Sequence, residues 1–472
     1  MSHSPAQNAN TVLAIIVASY LMIVVDISIV ITGLPRIQAS LGFSAAQLSW
    51  VTNAYTLTFG GLLLLGARAG DILGRRRMFI AGLSLFTMAS MAIGIAQSAA
   101  WLLTARAIQG VGAAVLAPST LALLSTHFAE GPERNRALSM YAAAAGVGAT
   151  LGLVLGGLFA DLVSWRAGFF INLPIGLLLI VVARRHIVET PKRPGRFDVG
   201  GAICSTLGMA ALVYGLVRAA EAGWHDTVAQ SALFGGVVLT AVFVLIERRI
   251  SQPILPLRLL ANRERAGAYL ARMLFLGGAV GFWFFSTLFL QGVLHLRPLQ
   301  AGLAFLPVTL PNFASAMAVP RLARRVGNGS LILAGLSLGV AGLLWLGRAD
   351  AGASYWTSVV PPMLLIGLGQ GLLLGPLTAA GVAGVARDDT GAASGLVNVA
   401  HQLGGALGLG LLVLVFAGAA PTGAHDSQAL AHRISAVIDA AGLLLTLALI
   451  VSWIFIVLPR RKVKPKQLEA IS

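Results

Sequence analysis

One carboxylate, Asp26, stands inside the apolar run VLAIIVASYLMIVVDISIVITGL, from Val12 to Leu34, and no Lys, Arg or His shares that run. A charge held in hydrocarbon costs about 2.5–3.5 kcal/mol on insertion scales, so a chain that keeps one usually uses it. The chemistry open to a carboxylate there is the uptake and release of a proton. A guanidinium, Arg106, stands in a second run, LLTARAIQGVGAAVLAP, three residues before Gln109. Burial disfavours an ionised carboxylate and a nearby guanidinium favours it, and a proton carrier needs both influences in alternation. A static structural pair is the alternative reading. No other Asp or Glu falls deep in an apolar run, since Asp161 and Asp439 come at the ends of theirs.

Other polar and aromatic side chains are scattered through the runs. Tyr20, Met22, Asn53, Tyr55, Gln109, Trp283, Phe285, Asn398 and His401 could line a cavity for hydrophobic, loosely specified ligands. Each alone could equally pack or hydrogen-bond between helices. His401 could titrate near neutrality, but a lone His in such a run reads first as a hydrogen-bonded structural group. Arg272, a few residues into its run, is expected to snorkel to the membrane surface.

The elements that must position these residues are membrane helices. Of 472 residues, 57% are hydrophobic and 11% charged, which excludes an ordinary soluble domain. Fourteen apolar runs, each separated by polar or Pro/Gly-bearing breaks, are long enough to span or nearly span a bilayer. An even number puts both termini on one side. Of the 33 Lys and Arg, 25 then fall on that side, 6 on the other, and Arg106 and Arg272 within runs. Positive residues mark the cytoplasmic side, so both termini are expected there, in a bacterial inner membrane. The same bias accounts for a net charge of +16 without any nucleic acid. The first ten residues lack Lys and Arg, so the first run is expected to be a retained helix. The single Cys204 leaves no intrachain disulfide, and no Walker A loop or metal-ligand spacing suggests a cofactor.

Two larger loops, 184–198 and 247–265, bracket the seventh and eighth runs. The expected organisation is a six-helix bundle over 1–183, linkers with two additional helices over 184–265, and a second six-helix bundle with a basic tail over 266–472. The halves echo each other: GRRRMFIAG is matched by GNGSLILAG, with Gly74/Gly82 and Gly327/Gly335 at the same spacing, and GVGAAVLAP by GLGQGLLLGP. Internal repeats of this kind accompany transporters that rock two related bundles.

In the loop GARAGDILGRRR, Asp71 comes where a helix should end and Gly74 where a tight turn should begin, with Arg75 next. Asp71 could cap a helix or pair with an Arg. Asp71, Gly74 and Arg75 resemble the cytoplasmic loop motif of the major facilitator superfamily, with Ala67 at its leading Gly. Arg106, Gln109, Gly110 and Gly112 resemble that family's fourth-span motif. In GATLGLVLGG, Gly148, Gly152, Gly156 and Gly157 are similar to its antiporter motif, with Leu153 at the motif's Pro. VVDISIVITGLPRI, WRAGFFINLPIG, LRPLQAGLAFLP and GAASGLVNVAHQLGGALG resemble the fourteen-span drug:proton antiporters of the EmrB/QacA type.

The resemblance implies the major facilitator fold, an all-α polytopic protein of two six-helix bundles plus two extra helices, and a proton-driven exporter of small amphipathic drugs, antibiotics or toxic metabolites. It implies no enzyme activity. It places Asp26 and Arg106 in adjacent spans, at depths compatible with pairing. Its partners would be the substrate, protons and lipid, and a monomer would suffice. A proton-coupled uptake symporter, or a narrow-specificity metabolite exporter of the same fold, remains the alternative.

Overall fold

The computed structural model describes residues 5–128, 131–190, 192, 195, 197–250, 252–386, 389–419 and 426–458. Arg193, Arg196, Arg387 and the basic residues of 460–466 lie outside the described residues. Every regular element described is helical: α1 (Pro5–Leu41), α2 (Trp50–Leu73), α3 (Arg75–Gly94), α4 (Ala99–His127), α5 (Pro132–Leu162), the short α6 (Ala167–Phe170), α7 (Asn172–His186), α8 (Val199–Ala222) and α9 (Thr227–Arg249). There follow α10 (Arg263–Leu288), the short α11 (Pro298–Leu303), α12 (Leu306–Leu346), α13 (Val360–Gly381), α14 (Thr390–Gly418) and α15 (Asp426–Ser452). Polar residues start several of them. Ser98, Asp198, Asp226 and Asn262 accept the backbone N–H of Trp101, Gly201, Ala229 and Arg265, satisfying first-turn donors that no intrahelical carbonyl reaches.

Among the described residues, 13 helical segments are long and apolar enough to cross a membrane, so this is a multi-pass membrane protein. One of them, Pro298–Leu346, is 49 residues long and takes in the apolar stretches 301–320 and 330–347, two of the fourteen runs counted in the sequence. At about 1.5 Å per residue its length is roughly twice a bilayer's hydrocarbon core. It is not one straight rod, because Gly327 has φ 79° and ψ 156°, outside helical values.

The chain forms two compact units, one of 1–254 with 290–306, the other of 255–289 with 307–472. In the first unit, α5 lies against α1 along Gly148, Gly152 and Gly156. A Cβ on Gly152 would lie 2.7 Å from the Val25 carbonyl oxygen, and one on Gly156 would lie 2.6 Å from that of Ile29. Gly157 meets Pro298 and Leu299 at the start of α11. Such contact between backbones is how helices gain packing energy in lipid, where apolar burial alone gives none. Helices α8 and α9 belong to this unit and are fastened along α2: Ser44 donates to Glu221 at 2.7 Å, Gly61 meets Thr206, and Arg68 donates to Gln252 at 2.6 Å. Their outer faces are apolar and exposed, Phe234 by 73% and Val237 by 60%, as lipid contact requires.

The second unit repeats the local geometry of the first. Gly74 (φ 110°) turns the chain between α2 and α3, and Gly327 turns it within α12. Gly82 of α3 packs on Gly112 of α4, and Gly335 of α12 packs on Gly369 of α13. Gly404 of α14 sits on Met273 of α10, as Gly152 of α5 sits on Val25 of α1.

Candidate functional site

Asp26, Arg106 and Gln109 meet in the first unit, together with two residues that the sequence reading passed over, Ser90 and Asn172. Asp26 projects from α1, Arg106 and Gln109 from successive turns of α4, Ser90 from α3, and Asn172 from the start of α7. All five are buried. Arg106 Nη1 donates to Asp26 Oδ2 at 2.9 Å. Asp26 Oδ1 accepts from Gln109 Nε2 at 2.9 Å and from Asn172 Nδ2 at 2.7 Å. The same two amides also donate to Ser90 Oγ, at 2.7 and 3.2 Å.

The guanidinium has other partners. Nη1 also reaches Gln109 Oε1 at 2.5 Å, and Nε donates to the Val51 carbonyl at 3.1 Å. The Tyr55 ring lies 4.5 Å from its central carbon and the Phe169 ring 5.9 Å, close enough for a cation–π contribution. The carboxylate therefore accepts three donors from two helices, α4 and α7, and the cation keeps neutral partners that do not depend on Asp26. A proton arriving on Asp26 would cancel the ion pair and leave the guanidinium with these neutral partners alone.

Tyr55 thus belongs to this cluster. Its hydroxyl, and both polar atoms of the fully buried Asn53 amide, have no hydrogen-bond partner among the described residues. Buried polar groups are rarely left so. Tyr20 instead stacks on Tyr141, centroids 4.0 Å apart, with Thr120 Oγ1 at 3.0 Å from the Tyr141 hydroxyl. Met22 is buried at 3% exposure in the same unit.

In the second unit, Phe285 is 1% exposed and packs against Phe416, with ring centroids 5.2 Å apart, while Trp283 packs on Phe282. Asn398 is exposed, its amide turned to the Ser394 carbonyl one turn back. His401 is hydrogen-bonded through Nδ1 to Arg272 Nη2 at 3.2 Å. Arg272 therefore does not snorkel. It is 7% exposed, and its Nη1 donates to Thr378 Oγ1 of α13 at 2.9 Å. The side chain turns toward polar groups on two neighbouring helices, a choice that its place in the run does not disclose.

At the other end of the first unit, Asp71 pairs with Arg75, Oδ1 to Nη2, at 3.0 Å. Arg75 Nη1 also donates to the Ala122 carbonyl and to Thr126 Oγ1 of α4. The cap on α3 is Glu189, which follows α7: its oxygens accept the N–H groups of Arg76 and Arg77 at 3.0 and 3.1 Å, and Thr190 Oγ1 accepts that of Arg75. A Cβ on Gly74 would lie 2.6 Å from the Glu189 carboxyl. Glycine is thus required twice over, by φ and by the carboxylate beside it.

Repeated helical units with a buried, ion-paired carboxylate define a polytopic membrane transporter. The Major Facilitator Superfamily model matches residues 16–409, and the chain belongs to that family of transporters of small molecules. It is 40% identical over 417 residues to the cephamycin export protein CmcT of Amycolatopsis lactamdurans, covering 87% of this chain and 86% of the relative. It is 40% identical over 413 residues to the puromycin resistance protein pur8 of Streptomyces alboniger, covering 86% and 82%. The lincomycin resistance protein of Streptomyces lincolnensis is 33% identical over 432 residues, covering 91% and 89%. Among solved structures, the nucleoside transporter NupG superposes with a TM-score of 0.65 at 11% identity, over 94% of this chain and 100% of that one, a likeness of fold alone.

Proposed function

We propose that the protein is a proton-coupled exporter of small amphipathic drugs, antibiotics or toxic metabolites, and that Asp26 carries the proton. The observation that carries this reading is the buried Asp26–Arg106 ion pair, held by Gln109 and Asn172. Protonation of Asp26 neutralises the pair and loosens α1 from α4 and α7. The Gly148–Gly156 seam between α1 and α5 is where that loosening becomes movement, because small residues let helices slide. At the cytoplasmic end, the Asp71–Arg75 pair and the Glu189 cap hold one arrangement until it does. The antibiotic export and resistance proteins among the relatives support export as the direction.

The chain is assigned fourteen spans of the EmrB/QacA type, counting α12 as two helices that meet at Gly327, with both termini in the cytoplasm. The length of the Pro298–Leu346 segment and its non-helical Gly327 support that count. Energised everted vesicles test the function. An exporter accumulates a fluorescent amphipathic substrate in the lumen when a proton gradient is imposed and releases it when the gradient collapses. No accumulation, or accumulation only in right-side-out vesicles, would exclude export.

A further inference from the structure

The face that α3 and α7 show together changes character at one end. The two helices pack antiparallel: Gly176 of α7 meets Thr87 of α3, and Arg76 Nη2 donates to the Arg184 carbonyl at 2.6 Å, where α3 starts and α7 ends. On α3 the exposed residues Arg77, Ala81, Met88, Met91 and Ile95 recur every three, four or seven positions, so they form one stripe. On α7 the exposed Leu177, Leu178 and Val181 lead at the same spacing into Arg184 and Arg185. Met88 is 69% exposed and Leu178 63%, an apolar surface that suits lipid contact. Both stripes close on guanidiniums, and at the same end.

Little at that end neutralises them. The Arg75 guanidinium turns away, to Asp71 at 3.0 Å and to Ala122 and Thr126 of α4. Glu189 accepts the N–H groups of Arg76 and Arg77 and lies 3.8 Å from Arg77 Nε, yet the Arg77 side chain stays 67% exposed. Arg184 and Arg185 are exposed, and among the described residues no carboxylate pairs with either. The opposite end of the same seam differs: Arg166 is stacked 4.3 Å over the Trp165 ring and donates to the Ala96 carbonyl at 2.7 Å. Three exposed guanidiniums on two touching helices, continuous with apolar stripes, complement a lipid with an anionic phosphate and apolar tails. Positive residues that only set topology need no such register, since they act from any short loop near the membrane.

We propose that Arg77, Arg184 and Arg185 hold the phosphate of an anionic phospholipid whose acyl chains lie along the α3 and α7 stripes. The surface is separate from the Asp26 site, and the proposal does not depend on the direction of transport. The test uses the full-length protein in detergent, with native mass spectrometry following bound phosphatidylglycerol and phosphatidylcholine across a titration. The wild type is expected to bind one phosphatidylglycerol about tenfold more tightly than phosphatidylcholine. Arg184→Gln/Arg185→Gln should remove that preference, and Arg184→Lys/Arg185→Lys should keep most of it. Arg248→Gln/Arg249→Gln takes the same charge from the exposed end of α9 and should leave the preference within twofold. Thermal melting without phosphatidylglycerol reports that the variants are folded. Adding it should raise Tm only where the preference survives, because a ligand of the folded state stabilises that state. Equal affinity of the wild type for the two lipids would overturn the proposal. Equal losses in the α7 and α9 variants would do the same, since charge anywhere on the surface would then suffice. So would displacement of the lipid by equimolar glycerol 3-phosphate, which would make the occupant a soluble phosphate. A dimer that forms in phosphatidylcholine alone and dissociates in Arg184→Gln/Arg185→Gln would put a second copy on this face instead.

Discussion

Arg106 Nη1 lies 2.9 Å from Asp26 Oδ2, and neither side chain exposes more than 2% of its surface. A buried pair of this kind is a poor way to stabilise a fold, because the loss of hydration offsets much of the attraction. Breaking it from one side is a different matter, since a charge is then left buried without its partner. That asymmetry separates a working pair from a merely structural one.

Asp26→Asn should remove proton-driven export and leave Arg106 uncompensated, at a cost of about 3–5 kcal/mol. The purified variant should melt lower in detergent yet still reach the membrane. The double variant Asp26→Asn/Arg106→Gln removes both charges and should regain most of the lost Tm while still failing to transport. Export restored along with stability would mean that the pair is scaffolding.

The cap on α3 makes a separate test. Glu189→Ala strips the acceptor from two N–H groups and should cost about 0.5–2 kcal/mol, the range for a lost helix cap. Glu189→Gln keeps an acceptor and should lose less. Hydrogen exchange at the amides of Arg75, Arg76 and Arg77 reads the effect directly, and unchanged protection in Glu189→Ala would mean that the cap is dispensable.

The turn between α8 and α9 offers a pH test. The Arg218 side chain, bonded at 3.1 Å, and then the Ala229 amide hold the Asp226 carboxyl below the usual carboxylate range. A depressed folded pKa means that the stabilisation is complete above the unfolded value of about 3.9 and is lost as pH falls through the folded one. Protection factors for this turn should therefore be flat from neutral pH down to about 4 and drop below it. Asp226→Asn keeps a capping side chain but not the titration, so its protection should show no such drop.

Much of the site could be read from position along apolar runs. Asp26, Arg106 and Gln109 were legible because a charge in hydrocarbon is rare enough to be noticed and depth follows from counting residues. Ser90 and Asn172 were not, since uncharged polar groups are common in membrane helices and only tertiary structure says which of them converge. The segment containing Asn172 stood out only for its family likeness. Arg272 shows the opposite failure: depth alone suggested the surface, and the pull of Thr378 and His401 decided otherwise. The helices themselves were plain from hydropathy. Whether α12 is one segment or two was not, because its break rests on the φ of a single glycine.

A single deep acid also limits the energy available, and this yields a prediction about voltage. One proton moving inward is worth about 2.3 kcal/mol per 100 mV and about 1.4 kcal/mol per pH unit. Exchanged one-for-one with a neutral substrate at 100 mV and one pH unit, it supplies ~3.7 kcal/mol; with a monovalent cation the voltage part cancels and ~1.4 remains. A monoanion leaving as the proton enters moves two charges in the same sense, so the total rises to ~6 kcal/mol. Valinomycin with balanced potassium removes the voltage and leaves the pH gradient. That treatment should reduce the steady-state gradient of benzylpenicillin by roughly twice the logarithm lost by its methyl ester, and leave that of ethidium unchanged. Equal sensitivity of all three probes would mean that the exchange is not one proton for one substrate, and that a carboxylate besides Asp26 shares the work.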